Sequence, residues 1–434
     1  MRNVRGSHNG GGTLVDVRTY RALFGVAEFR VLFASTSLTV AASSVGSLAL
    51  GTLTYAETAS PILTAFVMFG GPLVRLATSW FLLSLADLWR PRTAMIVANL
   101  VTASSFAAQA IPDLPFVARI ALLVVPWVLV SAIGGSTMAL VADILPDGSF
   151  VFGRATMNVA VGVMQIVGYG AGGLLLLTFS TSELFLGAAA TALAVVVLVR
   201  LGLDDHPPRA TGRAVERSRS ANRVLLGSPV LRPVYLALWV PNGLVVGCEA
   251  LIVPYAGDGA GFLFAATGFG MLTGDVVMGR FVSPQWRDRL VEPARLLLAV
   301  PWLFFALQPG VVVACLLAAV ASVGYCASLP LQERLVSRTA PDIRGHVLGL
   351  HGLGMMAMQG IGALLAGLVA TLLGADEEAA GLAIAAMAVA SVVVTVMLVP
   401  GLRRSREGEP VEVVALQRPH TGGPFVRRGA TSAG

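Results

Sequence analysis

Three charged side chains stand inside otherwise apolar stretches of this sequence: Arg75, Glu249 and Asp275. A charge near the centre of a bilayer costs at least about 2.5 kcal/mol, so an ionisable group in such a stretch is a functional candidate by default. Helical rise places Arg75 roughly 18 Å before Asp87, which ends the same stretch, and therefore near the midplane. By the same rise Asp275 lies about 10 Å inside the end of its own segment, while Glu249 lies in the outer part of its helix. Glu249 is the candidate proton carrier, because desolvation favours a neutral acid and lets protonation compete with solute binding. The blander readings are that Glu249 pairs at the outer rim and that Asp275 pairs statically with Arg75 or another buried base.

Tyr235, Trp239, Asn242, Val246 and Glu249 follow one another at spacings of four, three, four and three, which puts them on one helical face. Thr36, Thr39, Ser43 and Ser47 form a smaller polar stripe, and Trp127 with Ser131, and Ser322 with Tyr325, add comparable groups. Aromatic faces with few polar groups and one carboxylate suit a largely apolar or cationic organic solute. Catalytic patterns are missing. The sequence has no G-x-x-x-x-G-K-[ST] phosphate loop, no G-x-S-x-G elbow and no zinc-ligand spacing. His346 and His351, five apart, share neither a metal spacing nor a face, and are expected at the membrane interface. No enzyme, metal or cofactor is expected.

The elements that must position these residues are membrane helices. Mean hydropathy is +0.78, apolar residues make up 56% and charged residues 12%, about half the share of a soluble domain. Apolar segments are expected near 29–51, 60–85, 93–111, 116–140, 156–178, 184–201, 231–255, 260–282, 292–308, 311–331, 346–373 and 379–400. Each is long enough to cross a hydrocarbon core of about 30 Å. All 30 basic residues are arginine, and all but Arg75 and Arg119 fall in the N-terminal leader, alternate loops or the tail. The opposite loops carry acids, among them Glu57, Asp113, Asp258, Asp376, Glu377 and Glu378. This asymmetry predicts both termini in the cytoplasm. It also makes the +6 net charge a topology signal and not a sign of nucleic-acid binding.

The chain divides accordingly into a leader (1–28), a first six-helix bundle (29–201), a linker (202–229), a second bundle (230–401) and a polar tail (402–434). The linker holds Asp204-Asp205 and Pro207-Pro208, and the tail composition predicts disorder. Residues 153–171 align without gaps to 345–363, with Gly162/Gly354, Met164/Met356, Gly168/Gly360 and Gly170/Gly362 matched. Repeated halves around a central site are a usual build of secondary transporters. Cys248, Cys315 and Cys326 all lie in apolar segments and read as small hydrophobes.

The loop Ser84-Leu85-Ala86-Asp87-Leu88-Trp89-Arg90-Pro91-Arg92 resembles the major facilitator signature G-x-L-A-D-R-x-G-R-[RK]. Ser84, Leu88 and Trp89 depart from it. The run Gly168-Tyr169-Gly170-Ala171-Gly172-Gly173, with Gly162 before it, is similar to the glycine-rich motif of that superfamily's exporters, with Tyr169 replacing proline. Arg119 stands near the family's R-x-x-x-G arginine, with Leu123 in place of the glycine. The resemblance spans about 28–402 and is nearest to bacterial drug and siderophore exporters. It implies an all-α integral membrane fold of twelve transmembrane helices in two pseudo-symmetric six-helix bundles. It implies a monomer whose first, fourth, seventh and tenth spans line a cavity. It also gives Asp87, Arg90 and Arg92 the role of a cytoplasmic gating latch, the alternative being plain topology anchors.

The expected function is export of a small organic compound from a bacterial cell, by proton antiport across the plasma membrane. Its pathway residues would be Arg75, Arg119, Trp127, Tyr235, Trp239, Asn242, Glu249, Asp275 and Tyr325, and Gly162, Gly168, Gly172 and Gly173 would pack the pivot. Uptake or uncoupled passage of a metabolite keeps the same fold. A multispan sensor is the reading from another class, and it has no extramembrane domain to signal through.

Overall fold

The computed structural model describes residues 20–82, 89–145, 150–207, 222–223, 225–339 and 344–407. Those residues are almost wholly helical. The first half contains α1 (Ala27–Thr58), α2 (Pro61–Phe69), α3 (Gly71–Leu82), α4 (Pro91–Gln109), α5 (Phe116–Ile144), α6 (Phe150–Leu176) and α7 (Thr181–Gly202). The second contains α8 (Leu231–Ala250), α9 (Ala260–Val276), α10 (Val291–Ala299), α11 (Val311–Val323), α12 (Ser328–Ser337), α13 (Arg344–Leu373) and α14 (Glu377–Glu407).

Among the described residues, seven helical stretches are long and apolar enough to cross a membrane, or eight if the bent pair α2–α3 is one span. One of the seven, Leu231–Phe281, has 51 residues. As one straight helix it would reach about 76 Å, more than twice the hydrocarbon thickness. The chain breaks it instead at Leu251 and at Gly257, whose φ of +50° suits glycine.

Several expected spans are interrupted where the chemistry demands it. The span expected at 60–85 bends by 59° between Phe69 and Gly71. Pro72 lacks the N–H that would continue the ladder, and the two glycines before it admit the turn. The span at 292–308 becomes a 3₁₀ helix over Val300–Leu307, beginning beside Pro301. The span at 311–331 tightens into a 3₁₀ turn at Gly324–Ala327 and then resumes as α12. A capping box starts α7: the Ser180 hydroxyl accepts from the Glu183 N–H, and the Glu183 carboxylate accepts from the Ser180 N–H at 2.8 Å.

Within the first half α1 packs on α6 and α7, α4 on α5 and α7, and α3 on α5. Within the second, α8 packs on α13 and α14, and α9 on α11. The α8–α13 contact is backbone against backbone. A Cβ at Gly362 would stand 1.8 Å from the Gly243 carbonyl oxygen, and one at Gly247 2.6 Å from the Gly362 oxygen. Only glycine permits that approach.

The halves meet chiefly along two seams, α6 with α9 and α13 with α2–α3. On the first, a Cβ at Gly173 would lie 2.2 Å from the Gly261 Cα, and one at Gly268 would strike Ile166. On the second, Gly367 rests on Ile62 and Gly360 on Leu73. The approaches of backbone on backbone, Gly173 on Gly261 and Gly367 on Ile62, lie at the arginine-poor ends of the helices. Toward the other ends, Gly162, Gly279, Gly349 and Gly352 would have nothing within 4 Å of an added Cβ.

Candidate functional site

Glu249 is the next-to-last residue of α8, and its Oε1 accepts a hydrogen bond from the Tyr325 hydroxyl at 3.1 Å. Tyr325 reaches it because the chain tightens at Gly324, where a Cβ would stand 2.4 Å from the Ala294 carbonyl oxygen. From the other half, Tyr169 of α6 is an electrostatic neighbour of Glu249 and lies beside Ser47 and Gln165. Its ring stacks on Phe264 of α9 with centroids 4.7 Å apart. The carboxylate thus sits where α8, the Tyr325 turn and the α6–α9 seam converge. A phenol donor beside a half-buried carboxyl can stabilise the anion and leave the acid in place when it protonates.

The rest of the expected α8 face lies elsewhere. Tyr235 is fully buried, and its hydroxyl donates to the Val347 carbonyl at 3.2 Å. Trp239 donates from Nε1 to the His351 carbonyl at 3.0 Å, over Gly354. Asn242 is 1% exposed. The four–three spacing does align these residues, but the stripe from Tyr235 to Asn242 packs on α13. His351, expected at the interface, is itself buried, whereas His346 contacts Asn222 at 2.7 Å.

Arg119 is buried at the end of α5 that bears Phe116. It donates to the Gln109 carbonyl and pairs with Glu57 at 3.3 Å, which ties α1, α4 and α5 together. Trp127 is half-buried, edge-on to Phe66 at 5.9 Å and against Gly71 at the bend. Arg75 is half-buried on α3, and Asp275 is half-buried on α9 beside Cys326. Of the latch residues, Asp87 lies outside the described residues. Arg90 pairs with Asp205, and Arg92 donates to the Arg200 carbonyl. Both arginines therefore hold the chain leaving α7. Gly168 and Gly172 bring α6 onto Ala41 and Val45 of α1, and Gly173 brings it onto α9, while a Cβ added at Gly162 would meet nothing within 4 Å among the described residues.

Two arginines read only as loop markers prove to be interior. Arg334 of α12 pairs with Asp288 and donates to Ser405 Oγ at 3.0 Å and the Leu402 carbonyl at 3.2 Å, tying α12 to α14. Arg295 of α10 is fully buried. Its signal was present in the sequence: Val291, Ala294, Leu298 and Ala299 repeat at helical spacing, and Arg295 falls on their stripe. No cluster of three His, Cys, Asp or Glu side chains able to hold a metal occurs among the described residues. A cleft at the arginine-poor end is lined by Thr52, Gly173, Leu176 and Asp258, apart from the Glu249 group.

No protein-family model matches this sequence, and no curated protein matches it. Solved structures do match. A bacterial homologue of the human lysosomal transporter Spinster, inward-facing and occupied, aligns with a TM-score of 0.64 at 13% identity, covering 87% of this chain and 96% of that one. A POT family transporter in complex with 5-aminolevulinic acid gives a TM-score of 0.66 at 13% identity, with coverages of 87% and 96%. The nucleoside transporter NupG gives 0.64 at 12% identity, with coverages of 86% and 99%. At such identities the likeness carries the fold and leaves open the expected kinship with drug and siderophore exporters. The chain has the same helical fold as these solved membrane transporters.

Proposed function

We propose that this chain is a secondary transporter of twelve membrane helices in two bundles, 29–201 and 230–401, which rock about a cavity between them. It exports a small organic compound from the bacterial cell in exchange for protons entering through Glu249. Both termini face the cytoplasm by the arginine asymmetry. The observation that carries this reading is the Glu249–Tyr325 hydrogen bond beside Tyr169, since one carboxyl there touches one half and faces the other. A charge change at that point alters the energy of the seam, and differential energy between two arrangements is what coupling requires. Closure of the seams at the arginine-poor end is the geometry of a cytoplasm-facing state in this reading.

The test is expression in an efflux-deficient host, scoring tolerance to a compound panel with and without a proton uncoupler. Export predicts lower accumulation of at least one compound in energised cells only. Glu249→Gln is expected to abolish that pH-driven movement while the protein still inserts and binds the compound. Accumulation that rises with expression would reverse the direction. Unchanged proton dependence in Glu249→Gln would remove the carboxylate from the mechanism.

A further inference from the structure

A guanidinium sealed inside a helical bundle usually meets a carboxylate; among the described residues that of Arg295 does not. Arg295 is 0% exposed, and its Nη2 donates to Ser328 Oγ at 3.2 Å. Its Nε and Nη1 atoms have no hydrogen-bond partner among the described residues. The acids nearest in sequence are already engaged: Glu292 with Arg406 and Asp288 with Arg334. The groups that face Arg295 electrostatically are Tyr325, Cys326 and His351. Asp275 lies beyond Cys326, and Cys248 and Glu249 lie beyond Tyr325.

The chain is built to hold this arrangement. Gly324 presses its backbone onto Ala294 and Leu298, the neighbours of Arg295 along α10. Tyr325 follows directly, and Ser328, which holds the guanidinium, is the first residue of α12 after the same tight turn. A buried charge with unmet donors is a costly thing to keep, and removing it would relieve that cost unless another group uses the charge.

We propose that Arg295 is a positioning residue for the proton site, a fixed positive charge that acts on Glu249 through Tyr325. With Glu249 ionised, the Tyr325 hydroxyl donates to the carboxylate, and the guanidinium behind it offsets the negative charge in a medium of low dielectric. When a proton arrives it binds the Glu249 carboxylate oxygen. Tyr325 and Arg295 keep their own protons throughout, so the proton that moves at this site is the one on Glu249. The role rests on the reading of Glu249 as the proton carrier.

The experiment needs no transported compound. The purified full chain in liposomes is titrated with acid and base while infrared difference spectroscopy follows the carboxylic acid C=O band. Glu249→Gln identifies the band that belongs to Glu249. Arg295→Gln is expected to retain that band to a pH about one unit higher than the parent, a tenfold change in proton affinity. Arg295→Lys, which keeps the charge, is expected to titrate within a few tenths of a unit of the parent. Cys326→Asp, which sets an anion beside an intact Arg295, is expected to move the band in the same direction as Arg295→Gln. It decides the matter if Arg295→Gln does not fold. A Glu249 band that titrates identically in the parent, Arg295→Gln and Cys326→Asp overturns the proposal. If no titrating band disappears in Glu249→Gln, the proton-carrier reading itself fails, and Arg295 loses the role with it.

Discussion

Replacing Gly173 with valine tests whether the α6–α9 seam is a moving contact. A Cβ at this position would stand 2.2 Å from the Gly261 Cα, against 3.4 Å for ordinary contact. The two backbones must therefore part by about 1.2 Å, and the neighbour cannot yield by changing a rotamer, because it has no side chain. Overpacking of this kind costs about 1–3 kcal/mol. If that cost falls only on the state closed at this end, the alternative state gains about 5–150-fold in relative population. The assay is the labelling rate of Thr52→Cys, which lines the adjoining cleft, by a membrane-impermeant maleimide. The three native cysteines set the background, measured without the Thr52 substitution. Gly162→Val is the control, since it adds the same volume to the same helix where nothing lies within 4 Å. Labelling should accelerate at least fivefold in Gly173→Val and stay level in Gly162→Val. Equal rates in the two variants, both folded, would refute the reasoning.

Four further outcomes concern stability in detergent, read as thermal unfolding midpoints. Arg334→Ala should destabilise by about 1–3 kcal/mol through the lost bonds to Ser405 Oγ and the Leu402 carbonyl, since Asp288 is solvated enough to stand alone. Arg90→Ala, which breaks a pair with both members well exposed, should cost less than about 1 kcal/mol. Arg119→Met should cost about 1–3 kcal/mol through the lost Gln109 carbonyl bond, since Glu57 is solvated enough to stand alone. Ala59, which caps α1 at φ +47°, should gain up to about 1 kcal/mol on replacement by glycine, and a lower midpoint would contradict the left-handed geometry.

What sequence could and could not supply follows from which quantities are local. Apolar length and arginine placement are local, and helices occupy every segment expected from them, although several are broken or short. Glu249 and Tyr325 were each singled out as polar groups in apolar runs, but 76 positions separate them and only the folded chain pairs them. Periodicity put Tyr235, Trp239 and Asn242 on one face but carries no azimuth, and their contacts with α13 appear only in the folded chain. Arg295 was grouped with the loop arginines because it follows Arg287 and Arg289 closely. Its burial depends on Gly324, far away in sequence, pressing against the same helix. The bend at Gly70 had a visible cause in Gly-Gly-Pro, yet a hydropathy profile averages straight across it.

The contact of α8 with α13 has a mechanical consequence. Gly243, Gly247 and Gly362 set peptide groups directly against one another, with no side chain between them to compress or swivel. Such a joint has no play. A tilt of α8 about this contact meets no side chain that could absorb it, so α13 has to follow as in a lever cut from one piece.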